Sequence, residues 1–80
     1  MNFAVYTKDG CPYCDKVKQV LELTGSNFVV YNLGDQFDKK SFYDEFGEGS
    51  TFPQVVVDGN KLGGCVDTIK YLKEHQVITT

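Results

Sequence analysis

Apolar and polar positions along the chain fall into short blocks whose period changes from one to the next. Phe3-Ala4-Val5-Tyr6-Thr7 is a β-branched and aromatic run closed by Lys8-Asp9-Gly10, and it predicts a buried strand followed by a turn. Pro12 then suits a first helical position, where its missing N–H costs nothing. Val17, Leu21 and Thr24, with Val20 beside them, recur at helical spacing until Gly25 supplies a stop, so a helix opens at Cys11. Phe28-Val29-Val30-Tyr31-Asn32-Leu33, bounded by Asn27 and Gly34, is too short for a buried helix and predicts a second strand, parallel to the first if the helix crosses over.

Asp38 suits an N-cap for a helix through Phe46, with Phe42, Phe46 and Tyr43 on its inner face and Gly47-Glu48-Gly49-Ser50 ending it. Gln54-Val55-Val56-Val57, Asp58-Gly59-Asn60 and Lys61-Leu62 predict a hairpin, because Asp-Gly and Asn tolerate the positive φ of tight turns. Gly63-Gly64 leads into Val66, Ile69 and Leu72, spaced three apart as the inner face of a last helix, with Lys70, Lys73 and Glu74 pointing elsewhere. Gln76 to Thr80 is a tail. The order β-α-β-α-β-β-α is a βαβ unit followed by a ββα unit, an α/β fold with helices packed on a four-stranded mixed sheet.

Composition narrows what such a fold can do. With 80 residues, 41% hydrophobic and 24% charged, the chain is read as a single domain over residues 1–80. A chain this small buries only about 60% of its unfolded surface, so a ligand is expected in a shallow groove rather than a deep cavity. Eight lysines and arginines against eleven aspartates and glutamates give a net charge of −3, which removes the basic footprint of a nucleic-acid binder. No run approaches the roughly 20 apolar residues of a membrane span, and the start from Met1 to Lys8 lacks the basic-then-apolar order of a signal peptide. A cytoplasmic location without membrane association is the expectation.

The three cysteines make an odd set, and two of them, Cys11 and Cys14, are only two residues apart, poor arithmetic for a structural disulfide framework. Cys-x-x-Cys after a strand and opening a helix inside a βαβ unit points instead to redox chemistry. At a helix start the unpaired N–H groups and the dipole stabilise a thiolate, lowering redox cysteines to pKa values of about 3.5–7.5 from about 8.5. Cys11 is therefore the expected nucleophile, and Cys14, one turn further in and more shielded, the resolving thiol. A zinc site from Cys11, Cys14, Cys65 and His75 is disfavoured, since structural zinc takes closely spaced ligand pairs and Cys65 and His75 stand ten positions apart. Two inert core cysteines would have no reason to sit at a helix start beside Lys8 and Gly10.

Three segments carry a family resemblance: Tyr6-Thr7-Lys8 leading to Cys11-Pro12-Tyr13-Cys14, then Thr51-Phe52-Pro53, then Gly63-Gly64-Cys65-Val66-Asp67. In order and spacing they resemble the signature segments of dithiol glutaredoxins. The resemblance implies a thioredoxin-like, glutaredoxin-type fold with glutathione as co-substrate and no metal. It implies that Cys11 attacks, Cys14 resolves and Tyr13 lines the groove, while Lys8 assists the thiolate and faces the glycyl carboxylate of glutathione. It gives Pro53 the place of a cis-proline, and Phe52, beside Thr51, main-chain bonds to the cysteinyl part of glutathione. Gly64, Cys65 and Asp67 would hold the γ-glutamyl end, with helix-start N–H groups for its carboxylate and Asp67 for its ammonium. Cys65 is expected to be a small packing residue, and His75 has no matched role.

Two departures alter the expected groove. Phe52 stands where the family more often has valine, which changes the groove's width. Before Thr51 the family carries a basic or amide residue, whereas this chain has Glu45, Glu48, Gly49 and Ser50, leaving Lys8 more of the anion-binding burden.

The implied activity is glutathione-dependent thiol–disulfide exchange on protein disulfides and protein–glutathione mixed disulfides by a monomer, with disulfide-containing or glutathionylated proteins, ribonucleotide reductase among them, as partners. Two alternatives are weighed. A redoxin reduced by thioredoxin reductase conflicts with the segment Gly63 to Asp67. An iron–sulfur carrier, two copies sharing a cluster through Cys11 and two glutathiones, is disfavoured by Pro12, which stiffens the loop.

Overall fold

Side chains of the first strand, β1 (Asn2–Thr7), alternate strictly: Phe3, Val5 and Thr7 are buried on one face, while Ala4 and Tyr6 are half-buried on the other. That alternation sets which helices cover which face. The computed structural model describes residues 2–75, so Met1 and the tail expected over Gln76–Thr80 lie outside the described residues. After β1 come α1 (Pro12–Leu23), β2 (Asn27–Asn32), α2 (Lys39–Phe46), β3 (Gln54–Val57), β4 (Asn60–Gly63) and α3 (Cys65–Glu74), the order expected from sequence.

The strands make one sheet in the order β2-β1-β3-β4. β1 runs parallel to β2, with Phe3 opposite Phe28 and Thr7 opposite Asn32, and antiparallel to β3, which forms the hairpin with β4. On one face Phe3, Val5, Val55 and Val57 pack with Val17 and Leu21 of α1 and Cys65 and Leu72 of α3, and α1 and α3 lie side by side there. Each such fully buried valine or leucine contributes roughly 1.5–3 kcal/mol. On the opposite face Tyr6 meets Tyr31, Phe37 and Phe46 at ring-centroid distances of 5.2, 5.3 and 5.0 Å, so α2 is backed by an aromatic cluster.

Three details differ from expectation. The hairpin turn is tighter: Asp58 and Gly59 alone form it, with φ of 48° and 85°, and Asn60 already belongs to β4. Two successive positive φ values define the turn type whose twist matches that of paired strands. β2 is the parallel strand expected, but Leu33, expected within it, lies beyond its end and bridges to Phe37, and as an edge strand β2 leaves Val29 and Val30 exposed. The face expected of α3 is also rotated, since Val66 is 75% exposed and Cys65, Thr68 and Leu72 are buried. A helix advances about 100° per residue, so Cys65, Thr68 and Leu72 fall within one narrow stripe and Val66 lies about 100° round from Cys65. Spacing every three residues drifts across such a stripe.

Asp38 is the N-cap of α2, its Oδ1 accepting from the Ser41 N–H at 2.8 Å. That bond holds the carboxyl below the ordinary aspartate value of 3.8. A pKa depressed in the folded state stabilises above the unfolded value and is lost as pH falls through the folded one. Asp38→Ala is therefore expected to lower the thermal midpoint at neutral pH, with the gap to the parent closing as pH drops below 3.8. Thermal melts across that range check it. At the other end of α2, the Lys61 ammonium bonds the Glu45 carbonyl, stands 3.5 Å from the Glu45 carboxylate and lies over the Phe46 ring.

Candidate functional site

Where β1 ends, Lys8-Asp9-Gly10 turns the chain into α1, and Cys11 becomes the N-cap of that helix with Pro12 at its first position. Cys11 and Cys14 are joined as a disulfide, with Cα atoms 5.2 Å apart. The Cys14 N–H also points at Cys11 Sγ, at 3.2 Å. When the bond is reduced, the same N–H and the positive end of the helix are placed to stabilise a Cys11 thiolate. The pair is unequal in access: Cys11 is 7% exposed and Cys14 1%, so an incoming sulfur meets Cys11 first.

Residues adjoining the pair in sequence, Lys8 and Asp9 before it and Tyr13 within it, line a groove whose two halves meet at Thr51 and Phe52. One half, about 380 Å³, runs from Tyr13 past Pro53 to Gly64, Cys65, Val66 and Asp67. The Phe52–Pro53 bond is cis. Tyr13, 62% exposed, and Val66, 75% exposed, both line this half. At the start of α3 the Gly64 N–H donates to Asp67 Oδ2 at 3.1 Å, and Thr68 Oγ1 donates to the Gly64 carbonyl at 2.9 Å. Asp67 thus caps its own helix and has a second carboxylate oxygen for a cation. Gly63 has φ +117°, and a Cβ there would lie 2.5 Å from Asp67 Oδ2. Burial pushes the Cys65 thiol pKa up, with Lys16 opposing, so Cys65 stays a protonated packing group at neutral pH.

The other half, about 510 Å³, is lined by Lys8, Asp9, Leu33, Lys39, Tyr43, Ser50, Thr51 and Phe52. Lys39, the first residue of α2, was missed by sequence reasoning. It brings a second cation to the wall that carries Lys8, where the residues before Thr51 suggested none. Neither Glu45 nor Glu48 lines this half: Glu45 faces Lys61, and of the stretch named before Thr51 only Ser50 takes part. The signal available was Asp38, whose cap fixes where α2 begins, but its proximity to Lys8 depends on the path from β2.

Asn32 fixes that path. Its side-chain amide donates to Asp9 Oδ1 and to Asp35 Oδ2, each at 3.2 Å, and its Oδ1 accepts from Thr7 Oγ1 at 3.1 Å. The loop before Cys11 is thereby tied to the loop before α2. His75, at the end of α3, packs at a tilt against Tyr71 with ring centroids 4.1 Å apart and is not among the residues lining either half of the groove. Among the described residues no three histidines, cysteines or carboxylates gather as metal ligands, and no helix is long and apolar enough to cross a membrane.

Comparison with known proteins agrees with this geometry. Residues 3–62 match the family model described as Glutaredoxin. Glutaredoxin 1 of Rickettsia prowazekii is 37% identical, over 91% of this chain and 79% of its own. Among solved structures, glutaredoxin 1 from Francisella tularensis is similar with a TM-score of 0.77 at 29% identity, covering 95% of both chains. A buckwheat glutaredoxin solved as its glutathione complex shares the fold, with a TM-score of 0.77 at 23% identity, covering 94% of this chain and 71% of that one.

Proposed function

This chain belongs to the glutaredoxin family of thiol–disulfide oxidoreductases, and from that premise we propose that glutathione is the thiol it works with. The observation that carries this reading is the position of the Cys11–Cys14 pair beside a groove with opposite chemistry at its two ends. Lys8 and Lys39 suit a lone carboxylate. At the Gly64 and Cys65 end the Gly64 N–H is held by Asp67, so the helix-start N–H groups from Cys65 onward are offered to a carboxylate, and Asp67 offers an acceptor to an ammonium. Glutathione carries a glycyl carboxylate at one end and an amino-acid carboxylate and ammonium at the other, with its sulfur between them. A similar fold holding glutathione in the buckwheat protein supports the reading.

Cys11 thiolate attacks the glutathione sulfur of a mixed disulfide, the substrate leaves as a thiolate, and Cys11 is left bonded to glutathione. A second glutathione thiolate attacks that glutathione sulfur, forming glutathione disulfide and returning Cys11 as thiolate. On a protein disulfide, Cys11 attacks one sulfur and Cys14 then attacks Cys11 Sγ, freeing the second substrate thiolate and closing the Cys11–Cys14 bond. Two glutathiones reopen it. Because the Cys11 thiolate is stabilised, Cys11 is also a good leaving group, and the surrounding redox poise sets the net direction. The setting proposed is the reducing cytoplasm, and Cys11, Cys14, Lys8, Tyr13, Thr51, Phe52, Pro53, Gly64, Cys65 and Asp67, joined by Lys39, are the proposed site.

The test is turnover of a small mixed disulfide with glutathione, glutathione reductase and NADPH, run in parallel with thioredoxin reductase as the only reductant. Glutathione-dependent turnover is expected. Reduction by thioredoxin reductase without glutathione turnover would replace this reading with the redoxin alternative.

A further inference from the structure

Phe52 is the point where the two halves of the groove meet, and its ring has both aromatic and cationic neighbours. One face stacks on Phe42 of α2, with ring centroids 4.2 Å apart and planes 13° from parallel, and Phe37 stacks further along at 6.1 Å. The Lys8 ammonium lies over the same ring, 5.5 Å from its centroid. A flexible lysine stem held at one face of an aromatic ring loses few other contacts, and the ring's negative face attracts the cation.

We propose that the Phe52 ring is a positioning residue for the anion end of the groove, holding the Lys8 ammonium toward the carboxylate of the incoming thiol peptide. The proposal rests on the reading of the groove as a glutathione site and deepens it. The backbone of Phe52 contributes to the cysteinyl part, and its side chain tunes the glycyl end. The chain has no basic residue directly before Thr51, and its second cation, Lys39, comes from a separate helix. A fixed Lys8 is therefore worth more here than a freely moving one. Phe42 acts one step further back, because its stack keeps the Phe52 ring from rotating into the groove.

The ring's charge distribution separates this role from simple filling of space. Replacing Phe52 with phenylalanines carrying one, two and three ring fluorines nearly keeps the shape while weakening the negative face, and the same series without Lys8 controls for the accompanying change in the stack on Phe42. The KM for glutathione is expected to rise stepwise, to about two- to fivefold, with the larger part of the change in KM rather than kcat. Phe52→Tyr is expected to retain the parent KM, and Phe52→Leu to match the trifluoro form. In a Lys8→Met background the fluorine series should have no further effect. A KM that ignores fluorination, or that responds equally with and without Lys8, would overturn the inference alone. A parent chain with no glutathione turnover would overturn both the inference and the reading beneath it.

Discussion

Cys11→Ser is expected to abolish reduction of every disulfide substrate, by roughly a thousandfold or more, because a serine hydroxyl at the same helix start is not ionised at neutral pH. Cys14→Ser is expected to divide the two routes. A small glutathione mixed disulfide should still be reduced within about tenfold of the parent rate, since each exchange on that route passes through Cys11 alone. Protein disulfides should accumulate as a covalent adduct on Cys11, because the thiol that would displace them is gone. Mass spectrometry of the trapped adduct together with the coupled assay checks both. The unequal exposure of the pair, 7% against 1%, sets the direction of the prediction: equal loss in both variants, or adducts on Cys14, would contradict it.

Gly63→Ala should be the most damaging single-methyl change in the groove. A side chain in left-handed backbone costs about 1–2 kcal/mol before any contact is counted. At Gly63 the new carbon would also lie 2.5 Å from Asp67 Oδ2, so the carboxylate must leave the Gly64 N–H. In a domain of this size each kcal/mol lowers the melting midpoint by about 4–8 °C, and a loss of roughly 5–15 °C is expected. The KM for glutathione should rise about tenfold, as Asp67 swings away from the position proposed for the ammonium of glutathione. Adding Asp67→Ala removes the clash but not the backbone strain, so the double variant should regain part of the lost stability and none of the lost affinity. No recovery would mean that backbone conformation alone explains the loss.

The local physics of this chain was legible before its structure. Cys11 and Pro12 announced a helix start, Asp38 an N-cap and Asp58-Gly59 a turn, each because a few adjacent residues satisfy a backbone requirement themselves. The run from Phe3 to Thr7 likewise read as a buried strand, though its division into a face toward α1 and α3 and a face toward the aromatic cluster came only with the structure. What could not be read was set by distance through space. Lys39 stands beside Lys8 because Asn32 ties two loops that are remote in sequence, and no local pattern carries that information. Val66 was misplaced for a different reason: three apolar residues three apart look like a face, yet buried Cys65 and Thr68, one small and one polar, define the real one. The aromatic stack from Phe52 to Phe42 was equally hidden, since each ring alone reads as ordinary core.

The groove draws its walls from both ends of the chain, with Lys8 just after β1 and Asp67 in the first turn of α3. A peptide lying along it therefore bridges elements that part company only when the whole sheet comes undone. Binding then acts as a global clamp: at a hundred times its dissociation constant a ligand of the native state adds about 2.7 kcal/mol to unfolding, a sizeable share of what an 80-residue chain commands. If glutathione is the ligand, as proposed, the melting midpoint is expected to rise with its concentration.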